Sequence, residues 1–93
     1  MKKIYIAGPM TGYSDYNKPA FFGASLSLMD MGYVVLNPAT LPEGLEQSEY
    51  MDICLAMVRA ADAIYLLEGY ENSKGALAEL AYAEKLEMEI IKQ

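Results

Sequence analysis

The chain has 93 residues and a formal net charge of −6, with seven lysines and arginines against 13 aspartates and glutamates and no histidine. That balance lacks the basic footprint of a phosphate-backbone binder, so a nucleic-acid polymer is not an expected partner. Without histidine there is no Ser-His or Cys-His nucleophile pair and none of the usual zinc sites, so neither metal nor cofactor is expected and any catalysis runs on carboxylates, tyrosines, hydroxyls or lysines.

Lys2 to Ala7 reads as a first strand, apolar on both faces through Ile4, Tyr5, Ile6 and Ala7, as a central parallel strand is. The loop that follows, Gly8-Pro9-Met10-Thr11-Gly12-Tyr13-Ser14-Asp15-Tyr16-Asn17, is long for a connection in so short a chain, and such loops are more often functional than idle. Its glycines allow close backbone approach and its tyrosines can stack on a planar ring; an ordinary surface loop is the competing reading. Asn17 or Lys18 begins a helix with Pro19 in its first turn and Gly32 past its end, its apolar side supplied by Phe21, Phe22, Ala24, Leu26, Leu28 and Met29.

Tyr33 to Leu36 is a second strand, halted at Asn37-Pro38, and residues 37–48 form a loop offering Asn37, Thr40 and Glu43 to a ligand. Ser48 or Glu49 opens a second helix whose apolar side is Tyr50, Ile53, Leu55, Ala56, Met57 and Ala60. Asp52 falls in its first turn, where the helix dipole alone accounts for a carboxylate. Ala63 to Leu67 is a third strand with Asp62 at its boundary; Glu68 to Asn72 is a loop, a third helix follows, and Met88 to Lys92 makes a last strand.

Strands alternating with helices predict a doubly wound α/β domain with right-handed crossovers and a four-stranded parallel sheet ordered 2-1-3-4. In that order the helices after β1 and β3 lie on opposite faces, and a crevice opens between the carboxyl ends of those two strands. The loop from Gly8 and the loop before Ser73 border it. Asn72 or Ser73 caps the third helix, Gly75 permits close approach, and Glu79 stands one turn inside on the arc of Ala76, Leu80 and Ala83 that is expected to face the sheet. Glu79 is therefore the candidate chemical centre, with Tyr5 on the adjoining strand; a helix-favouring residue on a partly exposed flank is the alternative.

Residues 1–93 are expected to form one domain. The chain is 54% hydrophobic with eight tyrosines, more apolar material than so small a body hides, which predicts a homo-oligomer. The single cysteine, Cys54, has no internal disulfide partner, and no signal peptide or membrane-length apolar run is visible, so a cytoplasmic protein without a membrane partner is expected.

Lys3-Ile4-Tyr5-Ile6-Ala7-Gly8-Pro9-Met10-Thr11-Gly12-Tyr13, Asn37-Pro38-Ala39, Tyr50-Met51-Asp52, Asp62 to Leu67 and Ser73-Lys74-Gly75-Ala76 to Glu79 resemble a family of small phage and bacterial domains of unknown function. That family is similar to the nucleoside 2-deoxyribosyltransferases. The resemblance implies that Glu79 attacks the anomeric carbon of a 2-deoxyribosyl unit to form a covalent glycosyl-enzyme, that Tyr5 orients it, and that Asp52 protonates the departing base. It also implies a ligand site drawn from Gly8, Pro9, Met10, Thr11, Gly12, Tyr13, Asn37, Ser73 and Gly75, and a nucleoside or nucleotide as the small-molecule partner. The nucleoside-specific enzymes carry an aspartate where this chain has Ser73, a residue compatible with a 5′-phosphate, whereas Pro9 replaces a phosphate-contacting serine of related monophosphate hydrolases. An N-glycosidase or deoxyribosyltransferase is the expected function; a phage-type protein that sequesters a nucleotide-derived signal, or an interaction domain with a relic site, are the alternatives.

Overall fold

Four short parallel strands carry the molecule, and the computed structural model describes all of residues 1–93. They are β1 (Lys3–Ala7), β2 (Val34–Leu36), β3 (Ala63–Leu66) and β4 (Glu89–Lys92), in the spatial order β2-β1-β3-β4. The helices are α1 (Lys18–Asp30), α2 (Gln47–Ala60) and α3 (Lys74–Lys85). This is the doubly wound α/β fold expected, with α1 on one face and α2 and α3 on the other. Tyr5 is in register with Leu36 on one side and Ile64 on the other.

Alternation along β1 divides the core in two. Ile4 and Ile6 pack with Phe21, Ala24 and Leu28 of α1, while Tyr5 and Ala7 pack with Cys54 and Val58 of α2 and Ala76 and Ala83 of α3. All four of those β1 residues are at most 1% exposed, which is why the strand reads as a continuous apolar run rather than an alternating one. Small residues at 76 and 83 let α3 lie close on the sheet, and that closeness is what buries the side chain between them.

Several local expectations shift by a residue. β2 begins at Val34 rather than Tyr33, and β3 ends at Leu66, although the Leu67 N–H still donates to the Ala7 carbonyl at 2.9 Å. The second helix opens at Gln47, because the Glu49 carboxylate turns back to accept from the Glu46 N–H at 2.7 Å and so fixes the entrance ahead of Ser48. Asp52 accordingly lies in the second turn of α2. Asp62 accepts from the Lys3 N–H at 2.8 Å and pairs with its ammonium, pinning the start of β3 to β1 and holding its carboxyl below the usual range.

The inward faces of α1 and α2 are narrower than their apolar content suggests. On α1 the buried residues are Phe21, Ala24, Ser25 and Leu28, whereas Phe22, Leu26 and Met29 are 44%, 65% and 49% exposed. On α2 only Cys54 and Val58 are fully buried, and Ile53 is exposed. A straight helix on a flat sheet buries one stripe, so the surplus gathers beside the β2 edge, where Leu36, Ile53, Ala56 and Met57 wall an open groove. No helix is long and apolar enough to cross a membrane.

The two sides of α1 are distinguishable by stability. Phe21→Ala is expected to lower the unfolding free energy by about 3–5 kcal/mol through loss of buried area and the cavity left behind. Leu26→Ala is expected to change it by less than about 0.5 kcal/mol. Urea denaturation of both variants checks the assignment, and equal losses would contradict it.

Candidate active site

Tyr5, Cys54 and Glu79 meet in the core between the sheet and the helices α2 and α3. Tyr5 comes from the middle of β1 and is fully buried, yet its hydroxyl has no hydrogen-bond partner. The hydroxyl faces the Glu79 carboxyl and the Cys54 thiol without reaching ordinary hydrogen-bond geometry with either. Burial, followed by the neighbouring Glu79 charge, pushes the phenol well above its usual 10.0. Burial likewise raises the Cys54 thiol above its usual 9.0, opposed by its contact with Tyr5.

Glu79 lies in the second turn of α3, 7% exposed, on the inward arc with Ala76 and Ala83. The arc is the expected one, with Leu80 half-buried beside it. Neither carboxylate oxygen has a hydrogen-bond partner in ordinary geometry, although neither is wholly sealed from solvent. Loss of hydration raises its pKa from 4.5 to about 7, with the Tyr5 hydroxyl acting weakly in the other direction. Near neutral pH the carboxyl is divided between its charged, nucleophilic form and its neutral one.

Ser73 is the N-cap of α3, its Oγ accepting from the Ala76 N–H at 3.1 Å, which leaves the hydroxyl proton free to donate. Beside it the N–H groups of Lys74 and Gly75 have no backbone acceptor. A Cβ placed on Gly75 would meet nothing nearer than the Met51 Sδ at 3.6 Å, an ordinary contact, so packing does not require glycine there. Gly8 is the opposite case. A Cβ on it would lie 2.8 Å from the Leu67 Cβ, so the glycine lets the β1 loop cross closely over the end of β3.

The rest of the loop after β1 divides. Pro9 is buried and its carbonyl accepts from Asn17 Nδ2 at 2.9 Å, while Met10 is half-buried against the α1-side core. Thr11, Gly12 and Tyr13 are exposed, with the Tyr13 hydroxyl lying over Gly69 of the facing loop. Asp15, Tyr16 and Asn17 take left-handed backbone angles in succession, at a cost of about 1–2 kcal/mol each.

Two expected site residues stand apart from Glu79. Asn37 is buried at the end of β2, its Oδ1 accepting from the Ala39 N–H at 2.9 Å to cap the turn Pro38–Thr40, and its Nδ2 is without a partner. Asp52 is exposed and shares the wall of the β2-edge groove with Leu36, Ile53 and Ala56. Two residues further along the helix, on the opposite side, Cys54 takes the place that faces Tyr5 and Glu79. Cys54 is a neighbour of the site that no motif in the sequence marks. Its spacing of four from Val58 is the signal that puts it on the buried stripe of α2.

A family described as "Domain of unknown function (DUF4406)" matches residues 2–92. No curated protein matches the chain. Among solved structures, the chain is similar to the "2-desoxiribosyltransferase from Leishmania mexicana", with a TM-score of 0.79 and 25% identity, over 99% of this chain and 63% of that one. It is also similar in fold to the 2-deoxyribosyltransferase from Bacillus psychrosaccharolyticus, with a TM-score of 0.75 and 23% identity, over 97% of this chain and 70% of that one. The fold is that of the 2-deoxyribosyltransferases, and the chain spans less than two thirds of the Leishmania protein's length.

Burying a carboxyl group without a partner has a measurable signature. The folded protein holds a proton on Glu79 between pH 4.5 and about 7 that the unfolded chain has released, so stability falls as pH rises through that window and then levels off. The loss amounts to about 3 kcal/mol at 1.36 kcal/mol per pH unit. Glu79→Gln carries no charge to desolvate, so it is expected to be more stable than the wild type at pH 8, by a margin that shrinks towards pH 5. Urea titrations at the two pH values check this; a margin independent of pH would show that the carboxyl is not desolvated.

Proposed function

The chain belongs to the DUF4406 family, and from that premise we propose a nucleoside or nucleotide N-glycosidase or 2-deoxyribosyltransferase that acts through a covalent glycosyl-Glu79 intermediate, with residues 1–93 working as one domain. One observation carries the reading: a buried, desolvated carboxyl group without a hydrogen-bond partner in ordinary geometry faces an orphan tyrosine hydroxyl. A purely structural glutamate gains a partner or stays in water, because leaving it buried and unpaired costs stability. A nucleophile benefits from the same arrangement, since a carboxylate stripped of water is poised to stabilise an oxocarbenium-like centre and then bond to it. Tyr5, whose hydroxyl has no other partner, holds the attacking oxygen in line. Similarity to 2-deoxyribosyltransferases over 99% of the chain supports the pentose as the electrophile.

Thr11, Gly12 and Tyr13 form one rim of the crevice and Ser73 and Gly75 the other, a setting for a base stacked on Tyr13 and a 5′ group at the α3 N-terminus. The apolar strip beside β2, with Phe22, Leu26, Met29 and Ile53, suits a second copy of the chain. A second reading, a protein that sequesters a nucleotide-derived ligand without turnover, is favoured by one feature: Asp52, the expected proton donor, lies on the far flank of α2.

Two experiments test these readings. Deoxynucleosides and their monophosphates are incubated with the protein and free base is followed by chromatography. Base release by the wild type and its loss in Glu79→Gln, with folding and ligand binding retained, are expected; equal turnover in the variant would refute the covalent mechanism, and tight binding without release would favour sequestration.

The second experiment concerns the 5′ end. Ser73 offers a free hydroxyl donor beside the unpaired N–H groups of Lys74 and Gly75, a ready anion site, whereas Pro9 lacks both a hydroxyl and an N–H. Losing one hydrogen bond to a charged group costs about 1.5–3 kcal/mol, less than a carboxylate would impose by repelling a phosphate at contact distance. A 5′-monophosphate is therefore expected to bind more tightly than its nucleoside, and Ser73→Asp is expected to reverse the order. Calorimetric titration of both ligands against both proteins checks it; an unchanged order would leave Ser73 as a helix cap alone.

A further inference from the structure

Breaking a glycosidic bond sends its electron pair to the base nitrogen. A neutral base then leaves as an anion unless an acid protonates it, and that assistance is worth about 10²–10⁴-fold. The identity of the acid beside Glu79 therefore decides which substrates the site can cleave.

The elements packed around Glu79 present few such groups. β1 contributes Tyr5 and α2 contributes Cys54, β3 offers Ile64 and Leu66, α3 offers Ala76, Ala83 and the half-buried Tyr82, and the loop before α3 adds the half-buried phenol of Tyr70. Tyr5 and Cys54 are weak acids made weaker by burial. Asp52 stands over the β2 edge, and Glu79 cannot attack and donate a proton in the same step. Of the cations, Lys74 stands exposed at the entrance of α3. Lys2, Lys3 and Lys18 are paired with Glu89, Asp62 and Glu43, and no cation helps to hold the Glu79 charge.

Resting on the glycosidase reading, we infer that the site takes N-glycosides whose base is already cationic, an N-alkylated purinium or an N-glycosylpyridinium, in preference to neutral nucleosides. The balance needs no donor. A Glu79 oxygen bonds to C1′, the C1′–N bond breaks, and its pair neutralises the positive ring, so the base departs as a neutral molecule. Water then attacks C1′, the Glu79 carboxylate leaves, and the proton from water passes to solvent. Two further features suit a cation: a net charge of −6 draws it to the protein, and Tyr13 at the rim offers an aromatic face.

A matched pair tests the inference on the whole chain: N7-methyl-2′-deoxyguanosine against 2′-deoxyguanosine, with spontaneous release subtracted and Glu79→Gln as the blank. The methylated compound is expected to release its base at least about 100-fold faster, the lower bound of what a missing general acid withholds from the neutral one. With an N-(2-deoxyribosyl)pyridinium, whose ring carries no ionisable proton, the rate is expected to rise with pH through about 7, as Glu79 ionises, and then to stay level, because no donor is lost. Comparable rates for the two compounds, or a bell-shaped profile, would overturn the inference and leave the glycosidase reading standing. Release from neither compound above the Glu79→Gln blank would overturn both.

Discussion

Withdrawing the Glu79 carboxyl from water without giving it a hydrogen bond is the constraint on which the remaining features turn. The helix that carries it approaches the sheet closely because its inward positions on either side are Ala76 and Ala83. That approach seats the carboxyl over Tyr5, in the middle of the most buried strand. The phenol loses its own partners in the same step, and two orphan polar groups end up facing each other. Each is costly to leave buried and unpaired.

Sheet order places that pair on the α2 and α3 face of the sheet, below the loops that follow β1 and β3. With α1 on one face and α3 on the other, the loops after β1 and β3 meet beyond the strand ends, where the Tyr13 hydroxyl and Pro9 lie against Gly69. Gly8 allows the first loop to cross hard against Leu67, and three successive left-handed residues then redirect it towards α1. Regular elements hold Glu79 and Tyr5, whereas Thr11 to Tyr13 of the loop are exposed.

Chemistry at the site is set as much by the rotation of α2 as by Glu79. Two residues along a helix is a turn of about 200°, so Cys54 against the core puts Asp52 at the outer surface. A thiol in place of a carboxylic acid leaves the carboxyl without a strong donor beside it. The same rotation exposes Ile53, which joins Phe22, Leu26 and Met29 in an apolar strip along the sheet's β2 edge.

Much of this was legible in the sequence. Hydrophobic runs bounded by Gly8-Pro9, Gly32, Asn37-Pro38 and Asn72-Ser73 determine the seven elements to within one or two residues, because turn and capping chemistry is local. The alternation of strands and helices, with right-handed crossovers, determines the order 2-1-3-4, and with it the crevice and the inward arc of Glu79. What the sequence left undecided is which of several apolar stripes faces inward when a helix carries more than one, as α1 and α2 do. Only packing against the sheet chooses Phe21 over Phe22 and Cys54 over Ile53, since burial is a property of the neighbours and not of the residue. Protonation followed the same rule: the helix dipole and desolvation act on Glu79 in opposite directions, and the tertiary structure decided for desolvation by closing α3 over the sheet, with only the Tyr5 hydroxyl acting the other way.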